Sequence, residues 1–116
     1  MSAGDSLVFT GVTAYASLAF TGAARFYAAQ FTPTLGGWVG VFDALNAGGV
    51  NASSQLAILF TVAGQSIGVD LSSDIIGGKQ AKTGLFVAAI TSPSNYAVGP
   101  ATGVADIAYI AGTLAP

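Results

Sequence analysis

Apolar side chains recur at every second position through much of this chain, the spacing that sets one face of an extended strand against a core. From Val12 to Phe20, the residues Val12, Ala14, Ala16, Leu18 and Phe20 fall on one face, with Thr13, Tyr15, Ser17 and Ala19 on the other. Phe26, Ala28 and Gln30 alternate with Arg25, Tyr27 and Phe31 in a second predicted strand, closed by Thr32, Pro33 and Thr34. After Gly36-Gly37, Trp38, Gly40 and Phe42 share a face, and a turn-rich connection follows over 43–54. Residues 55–62 are almost continuously apolar, which predicts a strand buried on both faces or at an interface. Gly64-Gln65 breaks that run, and Ile67, Val69 and Leu71 then alternate with Gly68 and Asp70. Residues 72–84 read as loop, 85–90 as strand and 91–103 as a long Ser/Pro/Gly-rich loop. In the last strand, 104–110, Ile107 and Tyr109 face opposite to Val104, Asp106 and Ala108.

Roughly seven or eight short strands with turn signals between them predict an all-β chain, an antiparallel two-sheet β-sandwich, jelly-roll-like or Ig-like. Ala-rich segments offer a competing helical reading because Ala is a good helix former. The density of Gly, Thr, Val and Phe outweighs it. The length suits one domain over residues 1–116, with 1–24 as an N-terminal arm or added strand and 111–116 as a loose tail.

Charge changes the picture. Three basic and five acidic residues make up 7 % of the chain beside 53 % hydrophobic, where a soluble domain averages about a quarter charged. A compact fold of this mass exposes roughly 5,800 Å², about one charge per 700 Å². Such a surface is either packed against copies and partners or made of Ser, Thr, Gly and Ala throughout. Residues 44–69 carry no charge, whereas Asp70, Asp74, Lys79 and Lys82 gather in one connection. The net charge of −2, with Arg25, Lys79 and Lys82 scattered, speaks against nucleic-acid binding. The uncharged stretch 6–24 is long enough to span a membrane, but Ser, Thr and Gly interrupt it and its start is acidic. Neither a signal peptide nor a transmembrane segment is expected.

Candidate chemistry is sparse. The chain has no His and no Cys, which removes the commonest general base, thiolate chemistry and the usual zinc ligands. Asp70-Leu71-Ser72-Ser73-Asp74 offers oxygen ligands for calcium, yet ordinary turn chemistry explains the same residues, and there is no Glu to complete a known calcium loop. Residues 77–84 superficially resemble a phosphate loop, but Lys79 is followed by Gln80, and Lys82-Thr83 is preceded by Ala81 rather than Gly. Asn51-Ala52-Ser53 matches a glycosylation sequon. Trp38, Tyr27, Tyr15, Tyr96 and Tyr109 could form a sugar-stacking platform, although aromatics at strand spacing more often pack cores or interfaces. No Ser/His/Asp set, paired Glu or metal cluster can be assembled, so no enzyme activity, metal or cofactor is expected.

From Phe26 to Ile110 the order of strands and turns resembles the small β-sandwich modules of tailed-bacteriophage virion proteins. Asp43 in a turn, Gly64-Gln65-Ser66, and Gly84-Leu85-Phe86-Val87 before a final strand with Tyr109 are the matching positions. The resemblance implies a structural virion part, in first place a capsid decoration (cement) protein on the outer surface of a phage head. Its implied partners are the major capsid protein and copies of itself, as a trimer or dimer, with no nucleic acid and no membrane. Leu7, Val8 and Phe9 are the candidates for an arm contact with the capsid, the alternative being an edge strand of the chain's own sandwich. Two other functions fit the same features: a head or tail fibre module that binds a host receptor or glycan, and a self-assembling non-viral, pilus-like surface subunit.

Overall fold

The computed structural model describes residues 8–34, 36–70, 79–99 and 101–112. Ten strands run in the order β1 (Val8–Tyr15), β2 (Ser17–Thr21), β3 (Ala24–Pro33), β4 (Gly37–Phe42), β5 (Gln55–Thr61), β6 (Ile67–Asp70), β7 (Lys79–Ala81), β8 (Gly84–Ser92), β9 (Asn95–Gly99) and β10 (Ala101–Ala111). Among the described residues, one 3-10 turn, at Ala47–Gly49, interrupts the pattern. One sheet has the order β1-β10-β3-β6, with β7 also on β3; the other has β2-β8-β4-β5, with β9 also on β8. Every pairing is antiparallel.

With the short β7 and β9 set aside, the pairs β1 with β10, β2 with β8, β3 with β6 and β4 with β5 are those of one long hairpin rolled into two layers. That topology is a jelly roll. The two-sheet sandwich expected from the sequence is the fold, in its jelly-roll form and with more strands than expected. The two short strands and the division of the predicted strand 12–20 into β1 and β2 account for the difference. β7 lies in the span 72–84, and β9 and the start of β10 lie in 91–103, both read as loop.

The core between the layers is built from alternate positions. Phe26, Ala29, Phe31, Ala105, Ile107 and Tyr109 come from one sheet, and Val39, Val41, Leu85 and Val87 from the other. Alternation fails where strands bulge. The predicted strand 12–20 turns a corner at Ala16, so that β1 and β2 enter different sheets. A register shift between Val12 and Ala14 precedes that corner. The extra residue of that shift is on β10, where Ala105 to Thr102 spans three steps against two on β1. Tyr15, assigned by alternation to the face opposite Val12, is in the core at the corner with 1 % exposure. In β3, Ala28 pairs with Ala108 and Phe26 with Tyr109, leaving Tyr27 as an extra residue in a bulge. This moves the buried series from Phe26, Ala28 and Gln30 to Phe26, Ala29 and Phe31.

Gly103 is where the backbone makes room for the core. It sits at φ +148, and a Cβ there would stand 2.6 Å from Pro33 Cα and 2.9 Å from the Tyr15 hydroxyl. No L side chain fits that conformation or that space. The molecule measures 40 × 26 × 23 Å and exposes 5802 Å².

Candidate functional site

The second sheet is apolar on its outward face as well. Trp38, Gly40 and Phe42 of β4 point away from the core, as their shared parity predicts, and Phe86, Ala88 and Ile90 of β8 lie beside them. This explains why β8 reads as a nearly continuous apolar run: both of its faces are covered. The connection between β4 and β5 contributes Ala44 and Val50 to a cover over part of the face, and β9 contributes Tyr96 and Val98. Tyr96 packs edge-on to Phe42 at 6.0 Å, and its hydroxyl donates to Gln55 Oε1 at 2.7 Å.

The cover stops short of β5. There Ile58 is half-buried, and Phe60 is 56 % exposed. Phe60 stands edge-on to Trp38 with ring centroids 5.2 Å apart. Val62, just beyond the strand, is also exposed. Gly40 keeps this surface flat. A Cβ there would lie 2.6 Å from the Ala57 carbonyl oxygen and 3.0 Å from the Phe42 ring, which closes over the gap. Among the described residues β5 has one strand neighbour, β4, so its other edge is unpaired. The strand from Gln55 to Thr61 contains no charge and no proline, the devices that usually blunt such an edge. An uncharged edge strand with an apolar outward face removes area from water when another surface meets it.

The outward face of the first sheet is different in kind. Ala28, Gln30, Gly68 and Ala108 floor a shallow concavity of about 430 Å³, with Asp70 and Asp106 at its sides. Among the described residues, no group of three or more His, Cys, Asp or Glu could hold a metal.

The structure separates most of the residues the sequence singled out. Val8 is 41 % exposed at the start of β1 and pairs with Tyr109. The backbone of Phe9 pairs with Ala108, and Leu7 lies outside the described residues. Of the calcium candidates, Asp70 ends β6, while the rest of that segment lies outside the described residues. In the phosphate-like segment, the amides of Lys82, Thr83 and Gly84 do point at an anion, but it is the chain's own. The Asp43 carboxylate accepts all three, at 3.0, 2.8 and 3.3 Å. The five aromatics make no single platform. Tyr15, Tyr27 and Tyr109 belong to the first sheet, with Tyr15 and Tyr109 in the core, while Trp38 and Tyr96 belong to the second. In the sequon, the Asn51 side-chain oxygen accepts from Ser53 N–H and Oγ–H and from Ser54 N–H, which closes an exposed turn. Phe60 is the residue that the sequence pattern left unremarked. Its signal is its position one strand over from Trp38, visible only once β4 and β5 are placed in register.

The fold and this surface together define an all-β jelly-roll module with an apolar, partly uncovered outward face. Comparison with protein-family models, curated proteins and solved structures finds no match to this chain. No helix among the described residues is long and apolar enough to cross a membrane.

Proposed function

We propose that this chain is a structural coat component, a capsid decoration protein that binds the outer surface of a bacteriophage head and stabilises the shell. The observation that carries this reading is the uncharged, partly uncovered outward face formed by Trp38, Ile58 and Phe60. A surface of this kind acts by area, at about 25 cal/mol for each Å² of apolar surface removed from water, before the costs of association. Repetition around the symmetry axes of a shell turns modest single contacts into durable attachment. The resemblance of residues 26–110 to tailed-phage virion modules supports the reading. So does the jelly roll itself, an architecture that recurs in viral capsids and in lectins. The fold alone assigns no function, however, because functions are grafted onto folds through their sites.

Copy number on purified particles tests the proposal. A decoration protein is present at near-integer copies per lattice unit, and particles lacking it break at lower temperature. It also stays bound at high salt, because contacts made by apolar area are not screened. A protein absent from particles, or present in only a few copies and binding host cells by itself, overturns the proposal and favours the receptor-binding module.

A further inference from the structure

We infer that the free edge of β5 pairs with the β5 edge of a second copy of this chain, joining two jelly rolls into a dimer through one continuous sheet. Four observations single out this edge and this occupant. First, among the described residues β5 offers unpaired backbone donors and acceptors along one side. Second, most of the other edges are interrupted: β6 ends in Asp70, β7 begins at Lys79, and the short β9 is followed in the sequence by Pro100. β1 carries a register shift between Val12 and Ala14, and β2 one between Leu18 and Phe20.

Third, a strand that pairs with itself about a two-fold axis brings each charge near its own copy. β5 has none to repel, and neither does the rest of 44–69. Fourth, the strand is self-complementary in one register. Its regular stretch is Ala57–Thr61, because the shift opposite Val41 and Phe42 leaves Leu56 unpaired. Antiparallel pairing centred on Leu59 sets Ile58 of each copy beside Phe60 of the other on the outward face. These are the aromatic and β-branched cross-strand pairs that favour sheet association. Because Phe60 pairs with Trp38 and Ile58 with Gly40 within each copy, the apolar rows continue across the axis. The bulky Trp38–Phe60 end of one copy meets the flat Gly40–Ile58 row of the other. Centring the pair on Ile58 instead would set Phe60 against the bulged Leu56, which faces the core.

The inference shares with the proposed function only the use of this face as a contact surface. A dimer that never binds capsids, or a monomer that does, tells the two apart. Sedimentation of the full chain over a wide dilution range gives the mass of two chains, and the emission of Trp38, the only tryptophan, moves to shorter wavelength as the dimer forms. Phe60→Lys, a change at an exposed position, leaves the circular dichroism unchanged and gives a monomer throughout.

The register has its own test, made clean by the absence of native cysteine. Oxidising a mixture of Ile58→Cys and Phe60→Cys chains produces the mixed disulfide dimer. Either chain alone places its two sulfurs diagonally, beyond disulfide reach. A wild-type chain that stays monomeric overturns the inference, as does a dimer that survives Phe60→Lys. Equal cross-linking of each single variant overturns the register.

Discussion

At Tyr15 the ring packs edge-on to Phe31 at 5.9 Å, and the hydroxyl donates to the Val104 carbonyl oxygen at 2.7 Å, tying β1 to β10. Burial raises the phenol above its ordinary value of 10.0, with a backbone hydrogen bond from Thr32 pulling the other way. Folding therefore favours the neutral form. The contribution is full below pH 10.0, where both states hold the proton, and is lost as pH rises from the unfolded value through the raised native one. Tyr15→Phe keeps the ring and loses the hydrogen bond, at a cost of about 1 kcal/mol near neutral pH. The variant's stability then falls less steeply than the wild type's in the alkaline range, since the remaining tyrosines are common to both. Urea midpoints measured from neutral to alkaline pH check this; parallel curves would show that the Tyr15 proton plays no part. The sequence placed this residue on the wrong face. Strict alternation counts positions, and it has no term for the corner at Ala16 that ends β1.

Elements were legible where apolar residues alternate against a single core and obscure where pairing alone makes the strand. β4 and β10 have the faces that their parity predicts, Trp38, Gly40 and Phe42 outward and Ile107 and Tyr109 inward. The run 55–62 reads as doubly buried or interfacial, and its outward side is the least covered apolar part of the sheet. β7 and β9, of three and five residues, are too short for alternation to announce and are strands through their pairing with β3 and β8. Asp43 fixes one of these additions. Lying just after β4, it holds the three amides of the β7–β8 turn and so fastens two distant connections together. Asp43→Ala leaves those donors to solvent and costs about 1–2 kcal/mol, allowing for the partial exposure of the site. Asp43→Asn keeps one acceptor oxygen and falls between the two. Chemical denaturation that ranks wild type above Asn above Ala supports the fastening role, whereas three equal midpoints would exclude it.

For the whole molecule, the decisive fact is that the first and last described strands pair. β1 pairs with β10 from Val8 with Tyr109 to Tyr15 with Ala101, and β10 in turn pairs with β3. The last strand is therefore a central strand of its sheet, with Ala105, Ile107 and Tyr109 in the core. No local pattern announces such an arrangement. Alternation says that residues 104–110 form a strand but not which strands it joins, so the jelly-roll order was unreadable while the sandwich class was not. The consequence is physical. Until β10 is present, β1 has no neighbour among the described strands, and Phe26 and Phe31 lack part of their cover. A topology that closes through its ends delays its reward until long loops have been ordered, which makes folding slow and indivisible. A chain shortened to end at Gly99 thus loses more than one strand's share of stability. It removes both ladders that hold β1 and β3 together and exposes the aromatic floor of the core, a loss on the scale of the whole folding free energy of a small domain, about 5–15 kcal/mol. The expected result is a chain with no near-ultraviolet dichroism and no cooperative thermal transition. If the shortened chain instead keeps a sharp transition, the core must be carried by the second sheet and its outward cover alone, and β10 would be an added strand in place of the keystone of the fold.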